Sequence, residues 1–295
     1  MKVLKIFSIC TLLLAGSAFA QNSLKDRLNK NKKEVSESVN AVFKSTRVVT
    51  GHSVMTMAKG ELDVRISHRF GQLNTGAYEL WGLDNADMRM SLEYGLTDDL
   101  EIGLGRSSFN KVFDGFVKYA LKHQVDGGDK HFPMKIVWLS SMEVKTVKSF
   151  PDDFPTDGRL SYSHQLIMAR KFNSDLSLQL MPTLVHKNVV EKSTDLNTFF
   201  ALGMGGRYKI SKRVSFNVEY FYRVETDEAK SAANFQNYFN AFGIGFDIET
   251  GGHVFQLHIC NSRAMTEPGL ITETAGDIND GGIYFGFNIS RTFDF

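Results

Sequence analysis

Eight charged residues sit where extended chain places them on one face of their segments: Asp63, Arg65, Arg69, Arg89, Glu93, Glu101, Arg207 and Glu219. Opposite signs lie two or four residues apart, as in Asp63/Arg65 and Arg89/Glu93, so in a strand each pair shares a side. Turned toward an enclosed space, such residues either cross-link a hydrated interior or line a pore and tune what passes. The salt-bridged interior accounts for most of them more simply. Mixed signs argue against strong selection of cations or of anions.

Other chemistry has thinner support. His68, His164 and His258 fall in strand-like stretches, and only His258 shares the parity of Gln256 and Cys260. A metal needs convergent ligands. These histidines diverge, so no metal and no cofactor is expected. If the 149–159 connection is centred near 153–154, His164 opposes Glu143, and a two-residue slip brings Ser141 close to it as a candidate nucleophile–base pair, the layout of a lipid hydrolase with a lipid-facing site. No local motif supports it. The segment "DINDGG" (277–282) offers oxygen donors and a turn glycine, but lacks the twelve-residue spacing of a calcium loop and reads as a surface turn.

The elements that must position these residues are strands. "ELDVRISHRF" sets Leu62, Val64, Ile66 and Phe70 against Asp63, Arg65 and Arg69, and "ADMRMSLEY" repeats the alternation. Twelve strands are expected, near 60–70, 86–94, 100–106, 114–121, 133–147, 160–171, 176–187, 197–210, 213–224, 236–248, 253–260 and 282–295. The fourth, "DGFVKYAL", and the fifth, "PMKIVWLSSMEVKTV", alternate least cleanly. Connections alternate too. Links such as "NSD" and "SK" are short, while 71–85, 149–159, 188–197, 224–235 and 261–281 are long. The short-side link 122–132 is the exception. This rhythm, with an even strand count, is that of a transmembrane barrel. Aromatic residues at strand ends (Phe70, Tyr94, Tyr208, Tyr222 and Phe295) fit interfacial girdles. Glycine pairs on the polar face, such as Gly203/Gly205 and Gly243/Gly245, fit a wall that bends or is closely approached.

The chain ends agree with this reading. Residues 1–20, "MKVLKIFSICTLLLAGSAFA", have the charged start, short apolar run and A-x-A end of a cleaved signal peptide. Removing them leaves 32 basic against 33 acidic residues, which excludes a nucleic-acid partner argued from charge. It also leaves one cysteine, Cys260, and so no internal disulfide. Residues 21–58 begin highly charged, with Leu24, Leu28, Val35, Val39 and Phe43 at roughly helical spacing. They read as a periplasmic helix or a disordered lead-in, small enough to occupy a narrow lumen. At the other end "FNISRTFDF" alternates to the last residue, and Phe293 and Phe295 have the character of an insertion signal for the outer-membrane assembly machinery.

The stretches "FKSTRVVTGHSV" (43–54), "GELDVRISHRFG" (60–71), "YELWGLDNADMRMSLEYGLTDDLEIGLGRS" (78–107) and "DGFVKYALKHQ" (114–124) resemble a family of uncharacterised outer-membrane β-barrels of Bacteroidota, a domain of unknown function. The resemblance covers most of the mature chain. It implies an outer-membrane location and no particular activity.

The expected protein is all-β: one closed antiparallel transmembrane barrel of about twelve strands over 59–295, after a helical or disordered segment at 21–58. Membrane lipid and the assembly machinery are its expected partners. Three functions follow in order: a narrow channel or small-solute transporter, a closed barrel that partners another envelope protein, and a lipid hydrolase. Twelve strands should leave a narrow lumen, since eight are filled by side chains and sixteen leave a water channel.

Overall fold

The computed structural model describes residues 36–150, 154–190 and 192–295. The expected signal peptide and residues 21–35 lie outside the described residues. Twelve antiparallel strands close into a barrel: β1 (Glu61–Gln72), β2 (Ala86–Gly95), β3 (Leu100–Ser107), β4 (Val112–Lys122), β5 (Lys135–Lys145), β6 (Leu160–Lys171), β7 (Leu176–Lys187), β8 (Thr198–Lys209), β9 (Val214–Arg223), β10 (Ala241–Thr250), β11 (His253–Cys260) and β12 (Tyr284–Asp294). Each pairs with its neighbours in sequence. β12 closes on β1, with Phe293 opposite Leu62 and Ser290 opposite Arg65. Closure removes the open edges that hydrocarbon does not tolerate.

The alternation sets the two faces. Met88, Met90, Leu92, Leu104, Val117, Leu180 and Phe200 stand on the outside, exposed to the medium that surrounds the barrel. The intervening polar residues point in and are buried. The tenth strand starts at Ala241 rather than near 236, because Ala233–Gln236 form a helical turn, α1. The long loops share one end of the barrel with the short 108–111 link. The 123–134 link joins the short turns at the other end.

Of the two readings of residues 21–58, the helical one does not hold over the described part, and one expectation of the interior is corrected. Residues 36–58 contain no helix. Glu37 and Ser38 make a two-residue ladder with Val125 and Asp126 at the turn end. From Val42 the chain enters the lumen, reverses over 48–51, and returns to the turn end, where Glu61 begins β1. The interior is also not polar throughout. On β4–β9 the inward positions include Phe116, Val137, Leu139, Ile167, Met181, Val185, Phe199 and Phe221, all buried. The barrel therefore has an apolar half-wall and a charged half-wall, and its inside is a packed core.

Two segments fill that interior. The hairpin sets Val42, Phe43, Val48, Val49 and Val54 into the apolar cluster. From the loop end, residues after β11 fold inward and carry a short helix, α2 (Glu267–Thr272), whose Leu270 and Ile271 join the same cluster. Burying an apolar side chain of this size stabilises by roughly 1.5–3 kcal/mol, so the five hairpin residues contribute about 8–15 kcal/mol at the upper estimate. Glycines make the room. A Cβ on Gly243 would lie 3.1 Å from Val49, and one on Gly103 would collide with the Phe116 ring.

Candidate functional site: the filled lumen

The hairpin is a tight turn. Val48 N–H donates to Gly51 O at 2.9 Å, Ser53 N–H to Thr46 O at 2.8 Å, and Arg47 bridges His52 across it. Its tip lacks helix or sheet partners, so wall side chains satisfy its backbone. Glu219 accepts the N–H groups of Val49, Thr50 and Gly51 at 3.1, 2.8 and 3.0 Å. Gln179 accepts from Val54 N–H at 2.7 Å and donates to His52 O at 2.8 Å. Asn288 donates to Val49 O at 3.1 Å. On the return leg Glu101 accepts from Met57 N–H at 3.0 Å, and Lys118 donates to Met55 O.

The ionic network joins hairpin, wall and loop. Arg47 of the hairpin reaches Glu267 of α2 at 2.9 Å and Glu93 of β2 at 3.4 Å. Arg65 bonds Asp63 at 2.8 Å, Thr46 Oγ1 at 2.7 Å and Ser45 Oγ at 3.0 Å. Arg89 holds Asp114 through Nε at 2.9 Å and through a second guanidinium nitrogen. Above the hairpin, Thr266 donates to Glu143 at 2.6 Å, and Glu273 takes both Lys145 and Lys187.

Burial decides the protonation of the inserted groups. Desolvation holds the His52 imidazole well below its usual value, and the Arg47 guanidinium adds to this. The 3.5 Å contact from His52 Nε2 to Glu267 is therefore made by a neutral ring. Desolvation also pushes the Glu267 carboxyl up, opposed by Arg47 and Arg89. Desolvation would raise Glu273 as well, but the Lys187 and Lys145 ammonium groups overcome it and hold its carboxyl down at about 2.

All eight charged residues singled out in the sequence face the interior and are buried: Asp63, Arg65, Arg69, Arg89, Glu93, Glu101, Arg207 and Glu219. Arg207 stands apart near the turn end, opposite Asn217 and Ser177. The other seven border the hairpin or partner residues that do. Missed in the sequence were the inserted residues themselves, Thr46, Arg47, Thr50, His52, Glu267 and Glu273, with the wall partners Lys118, Gln179 and Asn288. One signal was present. Charge density falls sharply after Glu34, where "KDRLNKNKKE" gives way to "VSESVNAVFK" and then to "STRVVTGHSV".

Ser141 and His164 do not meet. Ser141 points inward and shares a hydrogen bond with Ser163 at 2.7 Å. His164 lies opposite Ser140 on the outer face, with Ser140 Oγ and His164 Nδ1 2.9 Å apart. Trp138 Nε1 donates to the same hydroxyl at 2.9 Å, so the three polar groups satisfy one another on the outer surface. In "DINDGG" the Asp277 carboxylate is used locally, accepting Asn279 N–H at 2.9 Å within a surface turn. Among the described residues no group of three or more His, Cys, Asp or Glu is placed to hold a metal ion. Phe293 stacks under the Arg291 guanidinium at 4.8 Å, and Phe295 N–H donates to Gly60 O at 3.1 Å, the last bond of the seam.

Solved structures with a similar course include the KdgM porin (TM-score 0.45, 11% identity, 80% of this chain and 99% of that one). Others are an outer-membrane channel of Pseudomonas putida F1 (0.47, 12%, 81% and 97%) and Omp33 of Acinetobacter baumannii (0.42, 9%, 80% and 99%). No curated protein matches the chain in sequence. A family profile matches residues 43–293, a span that starts inside the lumen hairpin and ends at the barrel seam. The chain belongs to the family of the membrane-bound beta barrel domain DUF5777.

Proposed function

We propose that the protein is a non-enzymatic outer-membrane channel for small solutes that is closed at rest. The observation that carries this is the path of the hairpin: it enters and leaves the lumen by the same end, between the 37–38 ladder and β1. It can withdraw with every strand-to-strand bond of the barrel intact. Withdrawal uncovers the wall of β12, β1, β2 and β3, where Arg65, Arg69, Glu93 and Glu101 form a charged strip. Its cost, about 8–15 kcal/mol by the apolar burial alone, is of the order of a whole domain's stability. Opening therefore needs an envelope partner that grips the charged segment before Val42.

A second reading, a permanently closed barrel that acts as a structural partner, is favoured by the apolar half-wall, which packs hairpin and α2 as a protein core. Planar-bilayer recording separates the two. The full-length protein should be silent. A variant lacking residues 42–56, with 264–274 replaced by a short Gly/Ser link, should show discrete conductance. Steady conductance by the full-length protein would refute closure at rest, and a folded, silent double variant would leave the structural reading.

A further inference from the structure

At the hairpin tip lies a small cavity whose polar lining is Arg47, Arg69, Arg89, Ser67, Thr50 and Asn288. No carboxylate lines it. The guanidinium groups around the tip are otherwise matched: Arg47 with Glu267 and Glu93, Arg65 with Asp63, Arg89 with Asp114. Arg69 is not. It is 1% exposed, and among the described residues it has no carboxylate within the 4.0 Å of an ion pair. Its bonds go to neutral acceptors, Thr50 Oγ1 at 3.0 Å and His258 Nε2. Glu219 is within electrostatic reach but does not contact the guanidinium, because its oxygens take the backbone of Val49, Thr50 and Gly51. The Nε–H groups of Arg69 and Arg47 have no acceptor at all.

A buried guanidinium with no contacting carboxylate and an N–H without an acceptor, beside two other guanidinium groups, is stabilised by a negative charge in direct contact. We propose that this cavity binds one small monovalent anion of halide size, which ties the hairpin (Arg47, Thr50) to the wall (Arg69, Arg89). Size sets the class. The cavity measures about 10 Å³, room for one water-sized occupant, so phosphates, sulfates and carboxylates do not fit. A water there would accept the orphan N–H groups but leave the charge. Met265 of the inserted loop completes the lining, so the bound ion touches all three parts of the filled lumen. The inference does not depend on whether the barrel conducts.

The test uses the full-length protein and bromide. Crystals soaked in sodium bromide should give an anomalous peak between Arg47, Arg69 and Arg89. In solution, thermal unfolding should occur at a higher temperature in chloride or bromide than in gluconate at equal ionic strength. Ser67→Asp brings a carboxylate to the cavity and should abolish both the peak and the halide dependence while the barrel stays folded. Should that variant not fold, Arg69→Met is read in the same way. A water-filled cavity without anomalous signal in the wild type would overturn the proposal, as would a halide dependence that survives in the folded variant.

Discussion

Glu219→Ala tests whether a single carboxylate holds the hairpin tip. In the wild type it accepts three buried backbone N–H groups, at 3.1, 2.8 and 3.0 Å. Stranding a buried donor costs about 1–3 kcal/mol. Three donors imply at least about 3 kcal/mol, and water entering the vacated space keeps the figure near that lower bound. The apolar anchors Val42, Phe43 and Val54 remain, so the hairpin stays in the lumen and only its tip loosens. At about 1.4 kcal/mol per decade, amide hydrogens over 48–52 should exchange about 100-fold faster. Hydrogen exchange read by mass spectrometry measures this, with the β7–β8 ladder as internal control. Exchange at 48–52 within about three-fold of wild type, with the control unchanged, would refute the reasoning.

Three further outcomes follow from other parts of the structure. Glu273 is held at about 2 by Lys187 and Lys145, below its unfolded value of roughly 4.3. Its contribution is present above the unfolded value and lost as pH falls toward 2. It is worth on the order of 3 kcal/mol, and Glu273→Gln should flatten the fall in thermal stability across that window. A Cβ on Gly95 would sit 2.0 Å from Ala58 O. Gly95→Ala should therefore displace the return leg of the hairpin and expose 55–58 to protease while β1 and β2 stay paired. Phe295 is 84% exposed, so its deletion should lower the amount reaching the outer membrane with little change in unfolding temperature; normal membrane levels would count against an insertion role.

The barrel was legible because each strand states its own faces. Leu62, Val64 and Ile66 against Asp63 and Arg65 need no distant information, and the placement of twelve strands follows from such local runs. The contents of the lumen were not legible in the same way. Val48 and Val49 look like any short apolar pair until Gly243 and Gly205 are seen leaving room beside them. The weakly alternating stretches held a hint. In "PMKIVWLSSMEVKTV" both parities carry apolar residues because Trp138 and Met142 face out while Val137 and Leu139 face a covered interior. Poor alternation there reports two apolar surroundings, not a doubtful strand. Ser141 and His164 fail to meet because Ser140, not Ser141, stands opposite His164, and a one-residue difference in register moves a side chain through the wall.

The seam between β1 and β12 also sets an order of events. Glu61 meets Asp294 at the opposite end of the barrel sequence, so the wall closes only when almost the last residue has arrived. Until then the hairpin that precedes β1 waits with its valines and Phe43 outside any finished interior. Pairings this distant are slow to form, and exposed apolar chain invites association with other chains. The hairpin must be shielded until the wall forms and seated before or as the wall shuts. A step that delays seam closure should therefore prolong exposure of the N-terminal segment, making it the vulnerable part of the molecule during biogenesis and one of the best protected afterwards.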